Sequence, residues 1–127
     1  MRIWIISDAH LGKYSTKGDK WNIMMRSYFF DFLIPLIKEN ASENDKFFFL
    51  GDLFDNRIAL DMTAINLAVE IFEELSKYVE CHVLLGNHDQ RMMKDPTING
   101  IATIRNIKNL YTYSKATTID IDGLKIG

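Results

Sequence analysis

Short apolar runs alternate along this chain with longer stretches in which apolar residues recur every three or four positions. Ile3 to Ile6, Lys46-Phe47-Phe48-Phe49-Leu50 and His82-Val83-Leu84-Leu85 are runs of the first kind. Each has the length and composition of a strand covered on both faces. Between the first two, Trp21, Met24, Met25, Tyr28, Phe29, Phe32, Leu33, Leu36 and Ile37 mark out a helix, and a stripe of this kind is read as core. Asp19 is its expected cap, and Pro35 is expected to kink it or shorten its end. A second helix is predicted from about Asp61 to Tyr78, with Ile65, Ala68, Ile71, Phe72 and Leu75 on one face and Glu73 and Lys77 paired four apart.

The order strand, helix, strand, helix, strand predicts an α/β fold with parallel strands joined by right-handed helical crossovers. The segment from Asp95 to Asn109 is less regular, with one short helix expected around Ile101 to Asn106. Thr117 to Ile121 alternates like a strand, and Asp122-Gly123 is a strong two-residue hairpin signal before Leu124 to Gly127. A domain seldom stops on a hairpin arm, because the last strand leaves unpaired edge groups. Residues 1–127 are therefore expected to be a single domain that is the N-terminal portion of a larger one.

The 15 Lys and Arg against 17 Asp and Glu give a formal charge of −2, without the basic excess that usually marks a nucleic-acid binder. Divalent cations bound at an acidic site would offset that deficit locally. Cys81 is the one cysteine, which fits a reducing, cytoplasmic setting; it reads as a small apolar residue at the start of a strand. Met1-Arg2 leads straight into the first strand without a secretory leader. No apolar run approaches the ~20 residues needed to cross a bilayer.

Three motifs carry the chemistry, each following one of the apolar runs. In Asp8-Ala9-His10, two ligand types stand two apart on a segment read as extended, so both side chains leave one face. In Gly51-Asp52-Leu53-Phe54-Asp55, the glycine permits a sharp turn and Asp52 can bridge two cations with its two oxygens. Asp55 reads equally as a helix-start or turn carboxylate or as a direct metal or substrate contact. In Gly86-Asn87-His88-Asp89, Asn87 offers a carbonyl oxygen to a hard cation, His88 points toward substrate, and Asp89 can orient His88. All three fall at the C-terminal ends of successive parallel strands, where open α/β sheets form their sites. His82 opens its strand at the other end and reads as structural.

These residues resemble the calcineurin-like metallophosphoesterases, whose signature runs Asp-x-His, Gly-Asp-x-x-Asp, Gly-Asn-His-(Asp/Glu) and then further histidines. Within that family the chain is most similar to SbcD-type DNA repair and recombination nucleases, including phage nuclease subunits. The resemblance implies a two-sheet α-β-β-α sandwich. It implies one metal on Asp8, His10, Asp52 and a later histidine, and a second on Asp52, Asn87 and two later histidines. No histidine follows His88, so the second sheet and part of each ligand set are expected to be incomplete, and the chain inactive alone.

The resemblance further implies two divalent cations, Mn²⁺ first and Mg²⁺ as the alternative, which in a completed centre would polarise a phosphodiester and acidify the attacking water. His88 would act on the transition state or the leaving oxygen, held by Asp89. The implied partners are DNA, an SMC-like ATPase subunit and a second copy of the chain, joined through helices near the second and third motifs. Two other readings compete: a phosphoesterase for a smaller substrate, and a non-catalytic interaction module derived from such a nuclease.

Overall fold

A computed structural model describes residues 1–13, 20–54, 62–84, 104, 106–113 and 117–127. Four strands, β1 (Ile3–Ile6), β2 (Lys46–Leu50), β3 (Glu80–Leu84) and β4 (Leu110–Tyr113), form one sheet in the order β1-β2-β3-β4. Every neighbouring pair is parallel, as the alternation of apolar runs and helical stripes predicts. β4 is an addition to that expectation. Its Leu-Tyr-Thr-Tyr sequence is made of residues common in strands, and Leu110 pairs with Cys81 in register.

Between β1 and β2, helix α1 (Lys20–Ser27), a π-helical segment (Tyr28–Leu33) and helix α2 (Ile34–Asn40) follow without a break. Pro35 neither ends this helix nor shortens it. It sits in the first turn of α2, directly after the π segment, and the Ile34 N–H donates five residues back, to the Phe29 carbonyl. A proline ring clashes with the carbonyl four residues before it, and the widened turn accommodates the ring. The widening also redistributes the apolar stripe. Phe29, Leu33, Ile34 and Ile37 are core, whereas Met24, Tyr28, Phe32 and Leu36 are exposed.

Helix α3 (Met62–Leu75) matches its sequence pattern closely: Ile65, Ala68, Ile71, Phe72 and Leu75 are all buried. Its outward positions Thr63, Asn66, Glu70 and Glu73 are polar and exposed. The expected Glu73–Lys77 pair does not form. The helix stops at Leu75, and Lys77 in the following turn reaches Glu74 at 2.8 Å instead. Phe49 of β2 and Phe72 of α3 meet edge to face at 6.0 Å in the centre of the core. Each such ring contributes about 2–3 kcal/mol by leaving water.

The strands are not all covered on both faces. Phe47, Phe49, Cys81 and Val83 face the helices and are fully buried, while Ile5 (64 % exposed), Leu50, Leu84 and Tyr111 on the opposite face are largely bare. That face carries Phe48, stacked on His82 at 4.9 Å, with Tyr111 and Tyr113 stacked on His82 in turn. His82 lies in mid-strand, not at its opening. It is buried and hydrogen-bonded through Nδ1 to the Tyr113 hydroxyl and through Nε2 to Glu80, each at 2.7 Å. Burial opposes ionisation of Glu80, but its bonds from His82 and Lys46 hold the carboxyl below the ordinary range. His82 thus has the structural place that its sequence suggests.

A hairpin of β5 (Ile119–Ile121) and β6 (Leu124–Ile126) forms a separate two-stranded sheet. Asp122 and Gly123 both have positive φ, 51° and 87°, the backbone of the predicted tight turn. A cavity of about 140 Å³ lies between Ile119 and Ile126 of the hairpin and Phe48, His82 and Tyr113 of the main sheet. The hairpin is thus placed against the open face of the main sheet. Among the described residues no helix is long and apolar enough to cross a membrane. Cys81 is fully buried and free, its thiol pushed up to about 12 by burial.

Candidate metal centre

The loops leaving β1 and β2 run side by side beyond the strand ends. The Asp8 N–H donates to the Gly51 carbonyl at 3.1 Å, His10 to Asp52 at 3.1 Å and Leu11 to Leu53 at 2.8 Å. Leu11 and Phe54 then close an isolated parallel bridge. The apolar side chains of the paired loops turn inward. Ala9, Leu11, Leu53 and Phe54 are buried to within 1 %, which turns Asp8, His10 and Asp52 the other way.

The backbone achieves this differently from the extended geometry that the spacing of Asp8 and His10 suggests. Asp8 (φ 61°), His10 (φ 46°) and Asp52 (φ 56°) all occupy the left-handed region, as does Gly51 at 101°. Few non-glycine residues sit there, with Asp, Asn and His over-represented among them. A pleated segment would also have put two alternate residues on one face, but here left-handed turns at Asp8 and His10 bring them together.

Ligand atoms of Asp8, His10 and Asp52 lie within 4.8 Å of one another, with Asp8 exposed and the other two half-buried. His10 Nε2 stands 3.6 Å from Asp8 Oδ1. The Ser7 hydroxyl donates to Asp8 Oδ2 at 2.7 Å. This bond, helped by the neighbouring His10, holds the Asp8 carboxyl below its usual range. Two carboxylates and one imidazole are the donor set of a hard or borderline divalent cation, and the exposure of Asp8 leaves open positions for water or substrate.

Helix α1 anchors the first loop. The buried Asn22 accepts the Gly12 N–H on Oδ1 at 2.8 Å, and the Trp21 indole N–H donates to the Ala9 carbonyl at 3.0 Å. Ser7, Trp21 and Asn22 are absent from the sequence-based site. Asn22 left a readable signal: it is a polar residue seven positions before Phe29, on a helix face that is otherwise apolar. Of the remaining predicted site residues, Asp55, Asn87, His88 and Asp89 lie outside the described residues, as do Asp19 and most of the short helix expected over 101–106. Ile104, within that stretch, belongs to the core.

Comparison with known proteins agrees with the geometry. The chain is similar to exonuclease subunit 1 of Enterobacteria phage T4, with 29% identity over 132 aligned positions; the match takes in 99% of this chain and 37% of that protein. The model of the calcineurin-like phosphoesterases, enzymes that use divalent metals, matches residues 1–125, from the first strand through the hairpin. With the parallel sheet, the paired loops and the Asp-His-Asp cluster at the strand ends, that match shows that the chain belongs to the calcineurin-like phosphoesterase family.

Proposed function

We propose that this chain is the N-terminal portion of a divalent-metal-dependent DNA nuclease subunit of recombination or repair, inactive by itself. The observation that supports it most directly is the convergence of Asp8, His10 and Asp52 on loops beyond the sheet's C-terminal edge. The DNA substrate and the subunit role rest on the name of the phage relative, of which the chain spans 37%.

In this reading Asp8, His10 and Asp52 hold the first cation, and Asp52 shares a second with Asn87. Mn²⁺ is the preferred ion. Bound cations there supply Lewis-acid polarisation of a phosphoryl oxygen and acidify an attacking water. The chain's own contribution is positional. Ser7 fixes the Asp8 carboxylate, the buried Leu11 and Leu53 fix the loop directions, and Asn22 fixes the turn at Gly12. His88 would stabilise the transition state or protonate the leaving oxygen, Asp89 would orient His88, and Asp55 would contact substrate. The partners are DNA, a second copy of the chain and, for the whole protein, an SMC-like ATPase, in the cytoplasm of the host cell.

Calorimetric titration of the 127-residue chain with Mn²⁺ tests the site. Binding should be lost in Asp52→Asn, and binding unchanged by that substitution rejects the ligand assignment. Substrate class is read separately, from Mn²⁺-dependent retention of a linear DNA duplex. Retention that mononucleotides displace as well as DNA does would favour the small-substrate reading. Hydrolysis of the duplex by this chain alone would refute its incompleteness.

A further inference from the structure

Lys13 stands on the loop that carries Asp8 and His10, and neither the core nor the candidate metal centre accounts for it. Its backbone N–H donates to the His10 carbonyl at 3.1 Å. That bond closes a four-residue turn, which keeps the two Cα atoms within about 7 Å, and Gly12 at φ 88° suits the turn. The ammonium rests over the Trp21 indole, 4.8 Å from the ring centroid. The indole N–H is itself bonded to the carbonyl of Ala9, between Asp8 and His10, at 3.0 Å. Both ends of the Lys13 side chain are thus tied to the backbone around Asp8 and His10, one covalently and the other through Trp21.

We propose that Lys13 is a substrate-contacting residue, its ammonium taking a non-bridging oxygen of a phosphodiester bound at Asp8, His10 and Asp52. The inference rests on the phosphodiesterase reading of that cluster, but not on DNA as the substrate. Charge supports it. One divalent cation on the Asp8 and Asp52 carboxylates leaves the cluster without net charge, while a phosphodiester brings a negative one. A cation at the rim supplies the attraction. Among the described residues of the two loops, 7–13 and 51–54, Lys13 is the one lysine or arginine. Arg26 on α1, Lys46 at the opposite end of β2 and Lys77 after α3 lie elsewhere, and each is held by a glutamate.

The Trp21 contact suits a cation that changes partner. Lys13 and Trp21 are both half-buried, and an aromatic face in contact with water attracts an ammonium only weakly. An ammonium–phosphate hydrogen bond is charge-assisted and stronger. The flexible four-carbon stem lets the head move from ring to phosphate while the turn at His10–Lys13 stays closed. Resting on the ring also restricts the stem before substrate arrives, which lowers the entropy lost on binding. Trp21 is therefore a positioning residue for Lys13.

The test compares the 127-residue chain with its Lys13→Gln and Lys13→Arg variants. Calorimetric Mn²⁺ affinity and the thermal melt should stay level across the three, because Lys13 is neither a proposed ligand nor core. Affinity for dimethyl phosphate, read from ³¹P line broadening by the Mn²⁺-loaded chain, should fall about tenfold in Lys13→Gln and return in Lys13→Arg. Retention of a linear DNA duplex should lose about 0.9 from the slope of log affinity against log salt in Lys13→Gln. That change marks one lost phosphate contact, and a merely structural lysine would not produce it. Dimethyl phosphate bound equally by the parent and Lys13→Gln, or not bound by a parent that binds Mn²⁺, or binding that arginine does not restore, overturns this proposal alone. Absence of Mn²⁺ binding in the parent overturns the reading beneath it as well. Duplex ignored by a parent whose dimethyl phosphate binding depends on Lys13 rejects DNA as the substrate and leaves Lys13 in its role.

Discussion

Replacing Asn22 with alanine should loosen the candidate metal centre without touching Asp8, His10 or Asp52. In the structure Asn22 is 5 % exposed and its Oδ1 accepts the Gly12 N–H at 2.8 Å. Gly12 has φ 88° and closes the turn that carries His10. Alanine removes the acceptor and leaves that partly buried N–H unpaired. The lost bond and the unpaired donor together cost about 1–2 kcal/mol. A domain of this length should then melt roughly 4–8 °C lower. If the same bond holds the loop in its ligating conformation, the competent fraction falls, and apparent Mn²⁺ affinity falls with it by about 5- to 30-fold. Asn22→Asp keeps an acceptor at the same position and should recover most of the loss. The readouts are a thermal melt and a calorimetric Mn²⁺ titration of the three proteins. Equal Mn²⁺ affinity in Asn22→Ala and the parent, despite a lowered melt, would show that Asn22 supports only the fold. Failure of Asn22→Asp to recover either quantity would remove the hydrogen bond as the cause.

Asp45 should govern acid stability. It is 2 % exposed and accepts bonds from the Arg2 N–H and from both the N–H and hydroxyl of Ser42. The Arg2 N–H above all lowers its pKa from an ordinary 3.8 to about 2. A depressed carboxylate stabilises above its unfolded value and loses that contribution as pH falls through the folded one. The urea midpoint should therefore drop between about pH 4 and pH 2, and the drop should shrink in Asp45→Asn. Cys81, with its thiol near 12 and no exposed surface, should resist thiol reagents at neutral pH until denaturant is added; rapid labelling of the native chain would contradict its placement. Leu53→Ala should lower stability by about 2–5 kcal/mol and weaken Mn²⁺ binding at temperatures where the fold persists, because Leu53 sets the direction of Asp52. Unchanged affinity there would separate core packing from the geometry of the site.

The sheet was legible because its strands are dense in β-branched and aromatic residues and its crossovers are amphipathic. α3 was read almost residue for residue, since an uninterrupted α-helix keeps the period on which the reading relies. The first helix was read correctly as a helix, but its buried face was not. The stripe Trp21–Ile37 assumes 3.6 residues per turn throughout, and the π segment before Pro35 breaks that period. β4 escaped because Leu110–Tyr113 is short and its approach through residues 95–109 carries little pattern. At the site, residue types and strand-end placement singled out Asp8, His10 and Asp52, which the structure brings together. Their local geometry did not follow from spacing, because left-handed φ values are set by tertiary pairing between two loops far apart in sequence.

That pairing explains why the strained backbone persists. A residue held in the left-handed region costs on the order of 1 kcal/mol or more, and Asp8, His10 and Asp52 all pay it within one small cluster. Local propensity would relax all three. What opposes relaxation is the pair of loops acting together, with three backbone hydrogen bonds between them and Ala9, Leu11, Leu53 and Phe54 buried beneath. A slip of either loop by one residue would break these bonds and turn apolar side chains outward. The strain is thus held by contacts made outside the Asp8, His10 and Asp52 side chains, and these three positions are fixed as a unit. On this account glycine at Asp8 or Asp52 should relieve strain and preserve the fold, read as an unlowered thermal melt, while deleting a proposed ligand. Glycine at Leu53 should destroy the fold's hold on the site, read as a lowered melt, while leaving Asp8, His10 and Asp52 in the sequence.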